Sequence, residues 1–178
     1  MKVLPQKCTA ITETKLNQVP YLRYVLKESL RLYPVISENL RSTGQDLVLN
    51  GYQVPKDTDV MIQTADVCKN EIHFTQADKF VPERWSRDQI ENQQSADGGV
   101  CPMAASKASN PFVYLPFGFG PRMCIGKRIV EMELEIALAR IIRNFHVEFN
   151  YPEEDVFSLQ LIYTPSKELR FSFVDIDN

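Results

Sequence analysis

One ten-residue stretch, Phe117-Gly118-Phe119-Gly120-Pro121-Arg122-Met123-Cys124-Ile125-Gly126, constrains this chain more than any other. Pro111 and Pro116 punctuate an apolar run that enters it, so the approach is extended. Gly118 and Gly120 permit backbone angles closed to other residues and let the chain come close to a flat ligand. Pro121 stiffens the turn. From Ile125 to about Asn144 a helical period sets in, with Ile129, Met132, Ile136, Leu138, Ala139 and Ile142 apolar and Lys127, Arg128, Glu131, Glu135 and Arg140 between them. The stretch thus places Cys124 at or just before a helix N-terminus, where unpaired N–H groups face a sulfur anion.

A helix end contributes only about 0.3–1 kcal/mol to an exposed anion. That is too little to hold a bare thiolate beside Phe117, Phe119 and Ile125. A positive metal centre holds it deprotonated. A single cysteine without a nearby His or second Cys is not a zinc site, which wants four ligands. One cysteine as the axial ligand of a haem iron is a known arrangement. Arg122 is then placed to meet an acidic edge of that ligand. Two other readings stand beside this one. The first is a buried structural cysteine. The second is a nucleophile on a strand-turn-helix elbow, which would need a basic partner from His73 or His146, neither in a recognisable motif.

The pattern Phe117-x-x-Gly120-x-x-x-Cys124-x-Gly126 resembles the haem-binding signature of cytochrome P450 monooxygenases. Two further segments resemble that family in its order: Glu28-x-x-Arg31 and Phe80-Val81-Pro82-Glu83-Arg84-Trp85. The resemblance implies an α+β fold, the C-terminal part of the cytochrome P450 fold. It implies haem b held by the Cys124 thiolate, with Phe117, Gly118, Gly126, Arg122 and Arg41 at the cofactor. It also implies a buried structural triad of Glu28, Arg31 and Arg84. Alone, Glu28 and Arg31 read as a solvated i,i+3 pair worth about 0.2–0.5 kcal/mol, and Arg41 reads equally as a surface arginine before a turn. Val35, Ile36 and Leu40 border the substrate side on the same likeness, as does the turn at 161–164. His73 gets no catalytic task.

The resemblance extends to class. Arg23 and Lys27 form an i,i+4 basic stripe, and Lys127 and Arg128 follow the cysteine. The plainer reading is a solvated helix face. These positions resemble the mitochondrial class, especially its insect members, in which basic residues dock an acidic ferredoxin. The alternative is the microsomal class at the endoplasmic reticulum, served by a flavoprotein reductase. The family's acid–threonine oxygen-activating helix has no counterpart here, since Glu13-Thr14 lacks the glycine-rich context. The expectation is a single partial domain over 1–178, the C-terminal third of a family member. Such a fragment would bind haem weakly and would not oxidise a small hydrophobic substrate unaided. The alternative is a non-catalytic remnant that binds haem or a partner protein.

Composition excludes some classes. A net charge of −3 over 178 residues gives no case for nucleic acid. No run approaches the roughly 20 apolar residues of a membrane span, so membrane association would come only through the missing N-terminal part. No targeting signal is visible. Cys8, Cys68 and Cys101 share no close spacing and read as free thiols of a reducing compartment.

Local signals fill in the rest. Thr12 caps a short helix, and 20–33, between Pro20 and Pro34, is a largely buried helix with one charged stripe. Leu47–Val54 is a hairpin about Asn50-Gly51. A strand over Val60–Gln63 leads to a short helix at Ala65–Lys69. Residues 70–84 are polar and irregular, and 86–111 is a mobile surface loop. His146–Phe149 is a strand, and Leu159–Tyr163 and Leu169–Phe173 are strands joined by Thr164-Pro165-Ser166.

Overall fold

The computed structural model describes Leu4, Lys7, and residues 9–86, 111–150, 157–159 and 162–176. Most of the surface loop expected over 86–111 therefore lies outside the described residues. Among the described residues the architecture is mixed α and β, with small two-stranded sheets beside two longer helices.

Helix α1 spans Glu13–Asn17 with Thr12 as its N-cap residue. Helix α2 spans Tyr21–Leu32, preceded by Pro20 and ended before Pro34. Proline fits a first turn, which has no N–H partner to lose, and bars helix further along. The buried face of α2 includes the pair that the resemblance places inside, but not the tyrosines at the helix ends. Glu28 and Arg31 are wholly buried, while Tyr21 and Tyr33 are about half exposed at 47% each. The charged stripe divides: Arg23 reaches Glu135, and the ion pair turns inward because later loops supply its remaining partners.

Strand β1 (Glu38–Ser42) pairs antiparallel with β4 (Asp59–Gln63), with Leu40 opposite Met61. β1 arises because β4 offers it a full ladder, a partner distant in sequence. Between them β2 (Leu47–Leu49) and β3 (Tyr52–Val54) form the expected hairpin. Asn50 and Gly51 have φ of +48° and +85°, as a two-residue turn of this hand requires. Helix α3 (Thr64–Cys68) follows β4 directly.

Residues 70–86 lack regular structure apart from a 3-10 turn at Pro82–Trp85, yet they are not surface coil. Phe74 and Ala77 are fully buried and pack with Trp85 and Val113, against Tyr24, Val67 and Tyr114. Polar composition hid this core, whose backbone groups bond to side chains rather than to a ladder.

Helix α4 spans Lys127–Asn144, about 27 Å at 1.5 Å per residue. It begins two residues later than its apolar period suggests, because residues 120–126 are taken up by turns. Ala139 is fully buried against Leu16 and Leu22, which locks α4 to α1 and α2. Strand β5 (Phe145–Phe149) pairs antiparallel with β8 (Phe171–Asp175). Phe145 meets Phe173 at 5.7 Å between ring centroids, and Phe149 meets Phe171 at 5.1 Å. β6 (Phe157–Leu159) pairs with β7 (Tyr163–Pro165). Here the expected pairing is corrected: Thr164 and Pro165 belong to a strand, and β8 finds β5. The cross-strand phenylalanines reward that distant pairing.

Candidate functional site

Two arrangements gather the residues singled out above, a buried ion-pair centre and an exposed cysteine loop, and Trp85 and Tyr114 join them.

Glu28 is the hub of the first. Its carboxylate accepts two hydrogen bonds from Arg31, at 2.9 and 3.0 Å, and one from Arg84 Nε at 3.0 Å. It also accepts from the Val81 N–H at 3.0 Å and from Trp85 Nε1 at 2.8 Å. Arg31 in turn donates to the carbonyls of Cys68, Ala77 and Lys79 at 2.7–2.9 Å. Arg84 donates to the carbonyls of Thr75 and Gln76. The two guanidiniums thereby hold the irregular 68–79 segment in place. Burial pulls the Glu28 carboxyl up, but the bonds from Arg31, Val81 and Trp85 and the Arg31 charge outweigh it and hold it below the ordinary carboxylate value. The expected triad of Glu28, Arg31 and Arg84 is assembled. Trp85, which sequence reasoning did not single out, is a fourth member. Its signal was only the indole N–H of a residue next to Arg84.

Trp85 also stacks on Tyr114, with ring centroids 4.7 Å apart. The Tyr114 hydroxyl donates to the Lys27 carbonyl at 3.1 Å. From Tyr114 the chain runs straight into the cysteine loop.

That loop folds as the glycines predict. Gly118 and Gly120 have φ of +75° and +71°. The Gly118 N–H bonds to the Leu115 carbonyl at 3.0 Å, the Met123 N–H to Gly120 at 3.0 Å, and the Cys124 N–H to Phe117 at 2.9 Å. Phe117 thus fixes the cysteine through its backbone. Cys124 is exposed and Ile125 is fully exposed, which removes the reading of a buried structural cysteine. It also corrects the picture of a thiolate enclosed by Phe119 and Ile125, since Phe119 is 56% exposed. Gly126 has an ordinary helical φ of −79°, and a Cβ there would lie 3.8 Å from the Cys124 sulfur. Its glycine leaves the space beside the sulfur bare. Arg122 is exposed on the 3-10 turn Gly120–Arg122. Arg41, on β1, comes to the same loop: its Nη2 lies 4.0 Å from where a Gly118 Cβ would stand.

The donor set suits a flat metal-bearing ligand with acidic edges: an exposed sulfur, bare glycines on its approach, and two arginines. Among the described residues no group of three or more His, Cys, Asp or Glu side chains is placed to hold a metal ion. His146 lies 3.6 Å from Glu148 on exposed β5, and the His73 N–H bonds to Asn70 just after α3.

The basic candidates converge in part. Arg23, Lys27 and Lys127 line one cleft of about 460 Å³ between α2, α4 and the loop, together with apolar Leu26, Leu30 and Phe117. Lys27 Nζ lies 5.6 Å from the Trp85 ring centroid and Lys127 Nζ 5.9 Å from that of Phe117. Arg23 is engaged by Glu135 at 2.7 Å and Asn17 at 2.8 Å. Arg128 stands exposed on α4. Val35, Ile36 and Leu40 are all about half exposed. The Tyr163 N–H bonds to the Val35 carbonyl at 2.9 Å, bringing the segment after α2 to the 162–165 strand. Leu40 alternates with Arg41 along β1 and so takes its opposite face. Leu161 lies outside the described residues.

The two described cysteines differ in kind, Cys68 buried and Cys124 exposed. Burial pushes the Cys68 thiol up to about 11, and its Sγ lies 3.3 Å from the Val113 carbonyl. A thiol with that value is about one part in a thousand thiolate at pH 8. Iodoacetamide on the haem-free native protein is therefore expected to label Cys124 and spare Cys68, with peptide mass spectrometry as the readout. Equal labelling of both would show that the 68–113 contact opens freely.

The family model for cytochrome P450 matches residues 1–173. Cytochrome P450 CYP12A2 of Musca domestica is 51% identical over the whole chain. Two Drosophila melanogaster proteins, probable cytochrome P450 12a5, mitochondrial, and probable cytochrome P450 12c1, mitochondrial, are 48% and 43% identical over 100% and 93% of the chain. The chain spans about a third of the length of these relatives, 32%, 32% and 30% respectively. No described helix is long and apolar enough to cross a membrane. Three motifs in one order, the buried centre they assemble and the family match over nearly the whole chain lead to one conclusion: this chain belongs to the cytochrome P450 family.

Proposed function

We propose that this chain supplies the cysteine-ligand side of a haem-thiolate monooxygenase that oxidises a small hydrophobic organic substrate with O2. One observation carries the reading: Cys124 is exposed on a loop whose own backbone bonds fix it, with open space at Gly120 before it and only the sulfur itself near Gly126 after it. Cys124 would hold the iron of haem b. Phe117, Gly118 and Gly126 would frame the ligand, and Arg122 and Arg41 would meet its carboxylates. When bound, the group supplies the oxygen chemistry. The chain's part is to hold the sulfur exposed and oriented, and the Glu28–Arg31–Arg84 centre keeps the scaffold under the loop rigid. Val35, Ile36 and Leu40 would border the substrate.

The electron donor in this reading is a ferredoxin at the mitochondrial membrane, since relatives named mitochondrial are 48% and 43% identical. Arg23, Lys27, Lys127 and Arg128 would speed the encounter with an acidic partner. A flavoprotein reductase at the endoplasmic reticulum is the alternative donor.

The test is the absorbance spectrum of protein expressed with haem supply, reduced and exposed to carbon monoxide, beside Cys124→Ala. A long-wavelength thiolate-type Soret band, absent in the variant, is the expected result. A band that survives Cys124→Ala would remove Cys124 as the ligand.

A further inference from the structure

Strand β1 meets the cysteine loop at Gly118. A Cβ on that glycine would stand 3.3 Å from Asn39 Oδ1 and 4.0 Å from Arg41 Nη2. Asn39 and Arg41 are two residues apart on the strand, so they share a face. That face is turned to the loop.

The Asn39 amide is oriented from behind. Thr64 Oγ1 donates to the Ser37 carbonyl at 3.0 Å, which leaves its oxygen to accept. Asn39 Nδ2 lies 3.5 Å from that oxygen, a long bond but one that only the NH2 end can make. Oδ1 is therefore the atom that faces Gly118. Ser37 and Thr64 are buried, at 3% and 7% exposure, so the anchor is part of the interior. The Ala65 N–H bonds to the same Ser37 carbonyl at 2.9 Å and ties it to the start of α3.

The contact matters because of what Gly118 is joined to. Its neighbour Phe117 offers the carbonyl that takes the Cys124 N–H at 2.9 Å. Asn39 Oδ1 borders the space on the β1 side of Gly118 in which a side chain would stand. A shift of Gly118 away from β1 carries the Phe117 carbonyl with it and loosens the bond that aims the cysteine.

We propose that Asn39 is a positioning residue for Cys124, acting through Gly118 and the Phe117 carbonyl. The contact itself is independent of any ligand. Its consequence for iron ligation rests on the reading of Cys124 given above. Asn39 is neutral and holds its oxygen beside Arg41, so it seats the loop without neutralising the arginine. A carboxylate there would compete for that guanidinium, and an alanine would leave the loop unseated.

The experiment is amide hydrogen exchange by NMR on the 178-residue protein and on Asn39→Ala and Asn39→Asp. In Asn39→Ala the Gly118 and Cys124 amides are expected to exchange at least about tenfold faster, while α2 amides and the urea midpoint stay in place. Asn39→Asp, which keeps an oxygen toward Gly118 but cannot donate to Thr64 Oγ1, is expected to give loop rates between those of Asn39→Ala and wild type. Unchanged loop rates in Asn39→Ala overturn the proposal. So does an equal loss of protection throughout the β1–β4 sheet, which would mean that Asn39 only holds the strand. With haem supplied, the share of thiolate-type band in the reduced carbon-monoxide spectrum is expected to fall in Asn39→Ala. A loop response with no haem spectrum even in the wild type would sink the ligand reading and leave the positioning role standing.

Discussion

Glu28→Ala is expected to lower the free energy of unfolding by about 3–5 kcal/mol in urea at pH 7. The carboxylate is wholly buried, and Arg31 and Arg84 face it with side-chain exposures of 0% and 8%. Removing it strands two guanidiniums in a site they cannot leave, because both are also fastened to backbone carbonyls. Trp85 Nε1 and the Val81 N–H lose their acceptor in the same step. Glu28→Gln keeps an oxygen for those neutral donors and is expected to lose less. A domain of this size has about 5–15 kcal/mol in all, so the alanine variant is expected to stand near the edge of folding. An alanine variant within 1 kcal/mol of wild type would show that the arginines find water or other anions. The pH dependence has a definite sign. The folded Glu28 value lies below the ordinary 4.5, so its contribution is fully present above 4.5 and is lost as pH falls through the folded value. Below 4.5 the stability of Glu28→Gln is expected to fall less steeply with pH than that of wild type, since the variant has nothing there to titrate.

The path from this centre to the cysteine explains why a fold variant would reach the functional site. Trp85 bonds Glu28 on one side and packs on Tyr114 on the other, and three residues after Tyr114 comes Phe117, whose carbonyl fixes Cys124. Loss of Glu28 frees Trp85, and through it the entry to the loop.

What the sequence disclosed follows from how local each signal is. The Asn50-Gly51 turn, the positive φ of Gly118 and Gly120, and the Pro20 and Pro34 limits of α2 are decided by one or two residues, and each was legible. The triad was legible only by resemblance, since an i,i+3 Glu–Arg pair reads as surface until Arg84 is brought to it from 56 positions away. Long-range pairings were not legible. β1 needed β4, and β8 needed β5 rather than its sequence neighbour, and neither preference is written in the strand's own alternation. The core at Phe74 and Ala77 was concealed because Arg31 and Arg84, not a helix or sheet, satisfy carbonyls of its segment. Asn39 carried no signal at all, as its part depends on a glycine 79 positions away.

Arg31→Lys is expected to lose about 3–5 kcal/mol of stability, although charge is conserved. Arg31 uses its planar fork in full. Nε and Nη2 bind the two Glu28 oxygens, Nη1 reaches the Cys68 and Ala77 carbonyls, and Nη2 reaches that of Lys79. Its guanidinium also lies 5.3 Å from the Phe74 ring centroid. A lysine ammonium has three donors on one atom and cannot be at the carboxylate and at carbonyls on two sides of it together. Each buried carbonyl left without a donor costs about 1–3 kcal/mol, and at least two would be left. Urea unfolding with an unchanged slope and a lower midpoint is the expected record. Faster exchange should appear first in the 68–79 segment, whose order depends on those bonds rather than on a ladder. A lysine variant as stable as wild type would mean that charge alone sustains the centre, and the carbonyl bonds would then be incidental to it.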